Sequence, residues 1–269
     1  MTDNEKILNF DEALNILNEA SQTFKIDVWI PSLNKEVSFK GIDAKQQKSL
    51  LSAAIDDSVY NSDFVKCFYN ILKDNILDKD VSVDDLTLVD RSFIAISLKN
   101  QISNQLTVKF SDSVVEDVNL NDIIEKFKTY ENSTDISTNI SNDNTSLIVD
   151  LGLPIIKDEV SYEENFYKNY KKVEDLKTTK DIQIVISEAF IGEISKYIKT
   201  LHVNDNKFYF RDLTINQRLR IVEKLPSELI QKIIDKISSE KKKLDSILEI
   251  TSKDGIKKII TIDSILFLS

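Results

Sequence analysis

The stretch Pro31–Leu51, PSLNKEVSFKGIDAKQQKSLL, changes from a strand pattern to a helix pattern within a few residues. On both sides of a turn at Asn34 and Lys35, apolar side chains alternate with polar ones; these are Phe24, Ile26, Val28, Ile30, Val37 and Phe39. A period of two residues is typical of a strand with one covered face. We therefore predict a β-hairpin over residues 24–42.

A helix is predicted to start directly after this hairpin. Asp43 is followed three residues later by Gln46, which is the spacing of a capping box. Later runs of apolar residues at helical spacing, such as the one over residues 63–77, predict further helices. The chain as a whole is therefore expected to have an α+β, helix-rich fold.

The face of the hairpin opposite to the covered one carries Trp29, together with nearby positive charge from Lys35, Lys40, Lys45 and Lys48. A tryptophan in this position either belongs to a second small apolar cluster or anchors a partner. The lysines either steer docking onto an acidic partner or merely keep the surface soluble. The sequence leaves all four interpretations open.

A polar segment, residues 131–146 (ENSTDISTNISNDNTS), separates two more apolar parts of the chain. Such a segment cannot bury enough apolar surface to offset the entropy lost when it becomes ordered. We therefore predict a linker or long loop there, between an N-terminal lobe over 1–130 and a mainly helical C-terminal lobe over 147–269. Short strands are predicted near the end of each lobe, at 106–110 and within 259–268.

Two segments share a pattern: Leu86–Arg91, LTLVDR, and Leu213–Arg218, LTINQR. In each, the threonine and the polar residue three positions later are predicted to form a capping box, and Arg91 or Arg218 then projects from the first helical turn. Recurrent capping chemistry explains most of this similarity, and an internal duplication is the alternative.

The composition points away from nucleic-acid binding and catalysis. A net charge of −10 disfavours binding to duplex nucleic acid, which requires a basic surface. The four glycines are isolated from each other, so no phosphate-binding loop is present. Cys67 is the only cysteine and His202 the only histidine, and nothing near His202 suggests a catalytic triad. We expect no enzyme, no metal and no cofactor.

The sequence also gives no sign of membrane targeting. The start, MTDNEKILNF, is acidic and lacks the continuous apolar core of a signal peptide. No window approaches the roughly 20 apolar residues that span a bilayer. We expect no membrane span, and a place of action in the cytoplasm or in an assembly built there.

Four short motifs follow one another in order along the chain. They are PxxxKxVxFK over Pro31–Lys40, KQQKxLL over Lys45–Leu51, LTxxDR over Leu86–Arg91, and FRDLTxxQR…LP over residues 210–226. In this order the motifs resemble a family of proteins from contractile-tailed bacteriophages of the T-even type, the baseplate hub subunits or hub assembly proteins.

The resemblance implies a structural or assembly protein of the tail baseplate. It would act in the virion after assembly in the host cytoplasm, through contacts with other baseplate or hub proteins, and homo-oligomers within a symmetric assembly remain open. Two alternatives are a transient tail assembly chaperone absent from the mature virion and a non-phage adaptor module. The candidate partner-binding residues are Trp29, Pro31, Lys35, Val37, Phe39, Lys40, Lys45, Lys48, Arg91 and Arg218.

Overall fold

The computed structural model describes residues 9–13, 16, 24–55, 62–131, 136–141, 146–169 and 178–260, and this part of the chain has an α+β fold. Its helices are α1 Ala44–Ile55, α2 Ser62–Asn75, α3 Leu88–Ile102, α4 Leu120–Phe127, α5 Ile156–Asn169, α6 Thr179–Tyr197, α7 Ile215–Val222 and α8 Ser227–Leu248. Its strands are β1 Lys25–Ile30, β2 Lys35–Lys40, β3 Gln105–Lys109, β4 Val115–Asn119, β5 Ile136–Ser141, β6 Ser146–Leu151, β7 Ile198–Val203, β8 Asn206–Tyr209, β9 Glu249–Thr251 and β10 Lys257–Ile259.

The strands form three two-stranded antiparallel ribbons and one larger sheet. The ribbons pair β1 with β2, β3 with β4, and β9 with β10. The larger sheet has the order β5-β6-β7-β8, and every neighbouring pair in it is antiparallel. Each connection between these pairs is local in sequence except the one from β6 to β7, which passes through α5 and α6.

The predicted hairpin is confirmed. Val28 lies opposite Val37 and Ile26 lies opposite Phe39, so the alternating apolar side chains share one covered face. Asn34 closes the turn with a φ of 51°, a left-handed conformation that asparagine adopts more readily than most residues. The helix that follows begins at a capping box, in which the Gln46 N–H donates to Asp43 Oδ1 at 2.7 Å.

The two later capping boxes are also confirmed. Thr87 with Asp90 caps α3, and Thr214 with Gln217 caps α7, each through reciprocal side-chain and backbone hydrogen bonds. A further threonine capping box was not predicted from the sequence: Thr178 caps α6 together with Asp181. Because three helices of different packing share this device, capping chemistry by itself accounts for the repeated pattern.

Three apolar cores organise the fold. The first lies between the hairpin, α1, α2 and one side of α3. The second contains the other side of α3 together with β3, α4 and the end of α8, and here Phe93 stacks on Phe127 with ring centroids 3.7 Å apart. The third lies between the four-stranded sheet and α6, α7 and α8. Helix α3 is therefore buried on nearly all sides.

These cores do not follow the predicted division into lobes. Ile156 and Val160, from the predicted C-terminal lobe, pack into the first core with the hairpin. Ile247 and Leu248, at the end of α8, pack into the second core with residues that precede position 131. The chain therefore crosses between the predicted lobes at two places far apart in sequence.

Part of the predicted linker is a strand. Residues 136–141 form β5 at the edge of the four-stranded sheet, paired with β6. Thr138 is buried, and Ile140 packs against the third core. The polar composition concealed this alternation of β-branched residues, which suits a half-covered edge strand. Residues 132–135 and 142–145 lie outside the described part.

Other boundaries differ from the predictions by a few residues or fall outside the described ranges. Apolar residues at helical spacing predict a helix over about 181–200, but α6 ends at Tyr197 and β7 begins at the next residue. The predicted C-terminal strand region starts earlier, with β10 at Lys257, and 261–269 lie outside the described residues. The apolar stripe over residues 4–23 also predicts a helix, but most of these residues lie outside the described part. None of the described helices has the length and apolarity needed to cross a membrane.

Candidate functional site

The outward face of the hairpin is the strongest candidate for a partner-binding surface. Trp29 lies on this face, partly exposed and opposite Glu36. Phe24 was predicted on the covered face, but it is 69% exposed because it precedes β1, beyond the last side chain that the core covers. We call the outward side chains of β1 and β2, together with Phe24, Lys45 and Lys48, the hairpin surface.

Four lysines outnumber the two acidic residues of this surface, Asp27 and Glu36. Lys25 and Lys40 are directly opposite each other on β1 and β2, an arrangement of like charges that destabilises a strand pair. Lys45 and Lys48 are exposed and one turn apart on α1, which begins four residues after β2 ends. Within the described part of the chain, none of these four lysines forms an ion pair. Lys25 was not among the candidate residues predicted from the sequence, although its place in the alternating pattern was visible.

Lys35 differs from the other predicted lysines because it has an acidic partner in the chain. Its Nζ donates to Asp80 Oδ2 at 2.7 Å, and this hydrogen bond lowers the pKa of Asp80 below its ordinary value. Both side chains are largely exposed, so the ion pair contributes little to stability. Lys35 therefore joins the hairpin turn to the segment after α2, and its charge is already compensated.

Three predicted partner-binding residues are buried, which is a correction. Val37 and Phe39 are fully enclosed in the first core, because β2 directs alternate side chains inward. Pro31 is buried at the start of the turn. These residues shape the hairpin from inside, and none of them is available on its outer face.

Arg218 is also buried and is bound within the chain. Its Nη1 donates to Asp158 Oδ1 at 3.1 Å, and its Nε donates to the carbonyl oxygen of Leu213 at 3.2 Å. The guanidinium therefore ties α7 to the start of α5. This contact replaces the predicted role of Arg218 in partner binding, because a buried and satisfied side chain presents nothing to another protein.

Arg91 also acts on this helix. It is partly buried, and its positive charge acts on Glu163 of α5 to lower the pKa of that carboxyl. The two arginines of the repeated capping motif thus both act on α5, one at each end of its acidic stretch. Sequence spacing placed both arginines at helix starts, but it could not show that both act on α5.

Lys196 of α6 completes the charges around α5. Its Nζ donates to Glu159 Oε2 and to Glu193 Oε2, each at 2.7 Å, and its side chain is only 10% exposed. Burial lowers the pKa of Lys196, but the two carboxylates outweigh burial and leave that pKa above its ordinary value. We call the following set the α5 network: Asp158, Glu159 and Glu163 with Arg218, Lys196, Arg91 and Glu193.

A separate polar cluster surrounds the single histidine. His202 Nε2 lies 3.0 Å from Asp150 Oδ2 and 3.4 Å from Thr200 Oγ1, and the Thr200 hydroxyl also donates to Asp150. Burial raises the pKa of Asp150, but the hydrogen bonds from Thr200 and His202 outweigh burial and leave it below its ordinary value. In a catalytic triad, the acid and the nucleophile bind different nitrogens of the histidine ring. Here Asp150 and Thr200 both lie near Nε2 of His202, so the cluster lacks the geometry of a triad.

The sequence missed this cluster because it depends on strand register. Asp150 lies opposite Thr200 in the pairing of β6 with β7, and the two residues are far apart along the chain.

The remaining candidate groups in the described part of the chain give no sign of catalysis or metal binding. Burial raises the pKa of the Cys67 thiol, which disfavours the reactive thiolate. No group of three metal-binding side chains occurs among the residues that the structure describes.

Comparisons with known proteins add no relative to this description. No protein-family model matches the chain, and neither a curated protein nor a solved structure matches it significantly.

Proposed function

We propose that this protein is a structural or assembly component of the baseplate hub of a contractile phage tail. It acts there through protein–protein contacts, without catalysis, in the virion of a phage whose tail is assembled in the host cytoplasm. Other baseplate or hub proteins are its partners, and several copies can occur in one symmetric assembly.

The observation that carries this proposal is the hairpin surface. It combines exposed apolar area at Phe24, a partly exposed Trp29 and four lysines without a described ion pair. Aromatic anchors within a polar rim are typical of a protein-binding surface. The lysines place positive charge on a protein of net charge −10, and this local charge favours an acidic partner.

The phage assignment within this class is supported by the sequence resemblance. The first two motifs, over Pro31–Lys40 and Lys45–Leu51, cover the hairpin and the start of α1, where the hairpin surface lies. The third and fourth motifs supply the capping boxes of α3 and α7 and the two arginines that face α5. The resemblance therefore covers both a surface and its internal support.

Quantitative mass spectrometry of purified phage particles and of assembly intermediates tests the proposal. A baseplate component is expected in mature particles at a fixed copy number, a small multiple of three or six. Presence in intermediates alone would identify a transient assembly chaperone. Absence from both would contradict the phage assignment and leave the non-phage adaptor.

A further inference from the structure

Glu163 has an unusual position for a carboxyl group. It lies on α5 with Oε2 buried, and Oε2 accepts no hydrogen bond from the residues that the structure describes. Its neighbour Glu164 has the opposite environment: it is 41% exposed at the side chain and pairs with Lys66 at 2.6 Å. Leaving an ionised carboxylate oxygen buried without a donor costs free energy, whereas a neutral carboxyl tolerates burial far better.

The charges around Glu163 come from three helices. Glu159 lies one turn earlier on α5, Glu193 and Lys196 lie on α6, and Arg91 lies on α3. Lys196 already donates to both Glu159 and Glu193. The charge of Glu163 is therefore opposed by two nearby carboxylates and favoured by Arg91 and by an ammonium group that already binds both of those carboxylates.

The charged groups on the other elements packed against α5 are engaged elsewhere on that helix. Lys66 of α2 pairs with Glu164, and Arg218 of α7 pairs with Asp158. Asp84 belongs to the short 3-10 helix over Val83–Asp85, and its Oδ2 lies 3.2 Å from Lys157 Nζ. The charges that act on Glu163 therefore come from α3, α5 and α6.

We propose that Glu163 is a proton-binding site that couples the junction between α3, α5 and α6 to pH around neutrality. With a proton bound, the group is a neutral carboxyl that fits the buried position. Without it, a third negative charge is added to those of Glu159 and Glu193, and the contact between the three helices weakens.

The direction of the pH effect follows from the pKa. Burial raises the pKa of Glu163, and the negative charge of Glu159 raises it further, to about 7 from the ordinary 4.5. Between these two values the folded protein binds a proton that the unfolded chain does not. The stabilising contribution is therefore complete below the ordinary pKa, and it is lost as the pH rises through about 7.

The test compares the wild-type chain with Glu163→Gln and with the matched control Glu164→Gln, by urea denaturation at several pH values. Between pH 5 and 7 the unfolding constant of the wild type should rise relative to that of Glu163→Gln, by up to about tenfold per pH unit. Glu164→Gln should follow the wild type. Parallel curves for wild type and Glu163→Gln, or a less stable Glu163→Gln at pH 8, would overturn the proposal.

A second measurement uses the wild-type protein alone, so it does not depend on whether a variant folds. In wild-type protein labelled with ¹³C at the glutamate carboxyls, one carboxyl signal should titrate near pH 7, well above the others. If every glutamate signal titrates near its ordinary pKa, Glu163 is not the proposed proton-binding site.

Discussion

The hairpin surface and the α5 network place the same kinds of charged residue in opposite environments. Lys196 is nearly enclosed and donates to two carboxylates of its own chain. Lys45 and Lys48 are exposed, and neither forms an ion pair with the described residues. A cation whose partner lies in the same chain contributes to the fold, whereas one without such a partner is available to another molecule.

This difference separates residues that the sequence treats alike. Both Arg218 and Lys40 were candidates for partner binding, and both follow strong local motifs. Arg218 is bound to Asp158, which lies 60 positions earlier in the chain, and so it serves the interior. Lys40 lies opposite Lys25, where an additional anion from outside would relieve repulsion. Each of the following predictions tests one side of this distinction.

The largest effect is expected at the centre of the α5 network. Lys196→Met leaves Glu159, whose side chain is 13% exposed, without its ammonium partner. Removing one member of a buried ion pair should lower the free energy of unfolding by about 3–5 kcal/mol. Urea denaturation at pH 7 measures this change.

Lys241→Met is the matched control, because Lys241 contacts Glu193 from an exposed position on α8. Its loss should cost less than about 1 kcal/mol. If both variants unfold at the same urea concentration, the buried ion pair does not hold α6 against α5. The contrast between the two regions would then lie in burial alone.

The second prediction divides the hairpin into an inner and an outer face. Val37→Ala removes two buried methyl groups from the first core and should lower the free energy of unfolding by about 2 kcal/mol. Trp29→Ala should change it by about 1 kcal/mol or less, since the side chain lies on the outer face. Urea midpoints measure both. A Trp29 variant as unstable as the Val37 variant would place Trp29 in an internal apolar cluster.

The hairpin and the helix caps could be predicted because their signals are local. Val28, Ile30, Val37 and Phe39 alternate over a short stretch, and a capping box needs only two residues three positions apart. The fold class follows from the same signals. The inner face of the hairpin was therefore predictable, although Val37 and Phe39, which lie on it, were also named as partner-binding candidates.

The features of the fold and of the candidate site that the sequence did not predict depend on contacts between distant segments. The pairing of Arg218 with Asp158 and that of His202 with Asp150 require the arrangement of whole elements, which no local pattern contains. β5 was missed because Thr138 and Ile140 stand among polar residues, so composition outweighed alternation. Whether a lysine is paired, as Lys35 is with Asp80, is likewise a property of the folded chain.

A smaller effect is expected when Arg218 is replaced by lysine, which keeps the positive charge but lacks the planar guanidinium. Arg218→Lys retains a cation near Asp158 and removes the Nε–H that donates to the Leu213 carbonyl. We expect a loss of about 1–2 kcal/mol in urea denaturation. Arg220→Lys, at an exposed position of the same helix, should stay within about 0.5 kcal/mol of the wild type. Equal stability of the two variants would show that charge alone holds α7 to α5.

The smallest effect on stability per substituted site, and the largest effect on assembly, is expected from reversing the charge of the hairpin surface. Glutamate in place of Lys25, Lys40, Lys45 and Lys48 should change stability by no more than about 0.5 kcal/mol per site, because these side chains are paired with nothing in the described chain. The copy number per purified particle, measured by mass spectrometry, should nevertheless fall sharply, since each change turns attraction to an acidic partner into repulsion.

The control must carry the same total charge. Glutamate at four other exposed lysines, Lys128, Lys224, Lys236 and Lys242, alters the net charge equally on other parts of the surface. That variant should be incorporated like the wild type. If both variants are lost from particles equally, net charge rather than the hairpin governs incorporation. If both are retained, the lysines serve solubility, and the contrast with the α5 network then reflects only where the fold needs its charges.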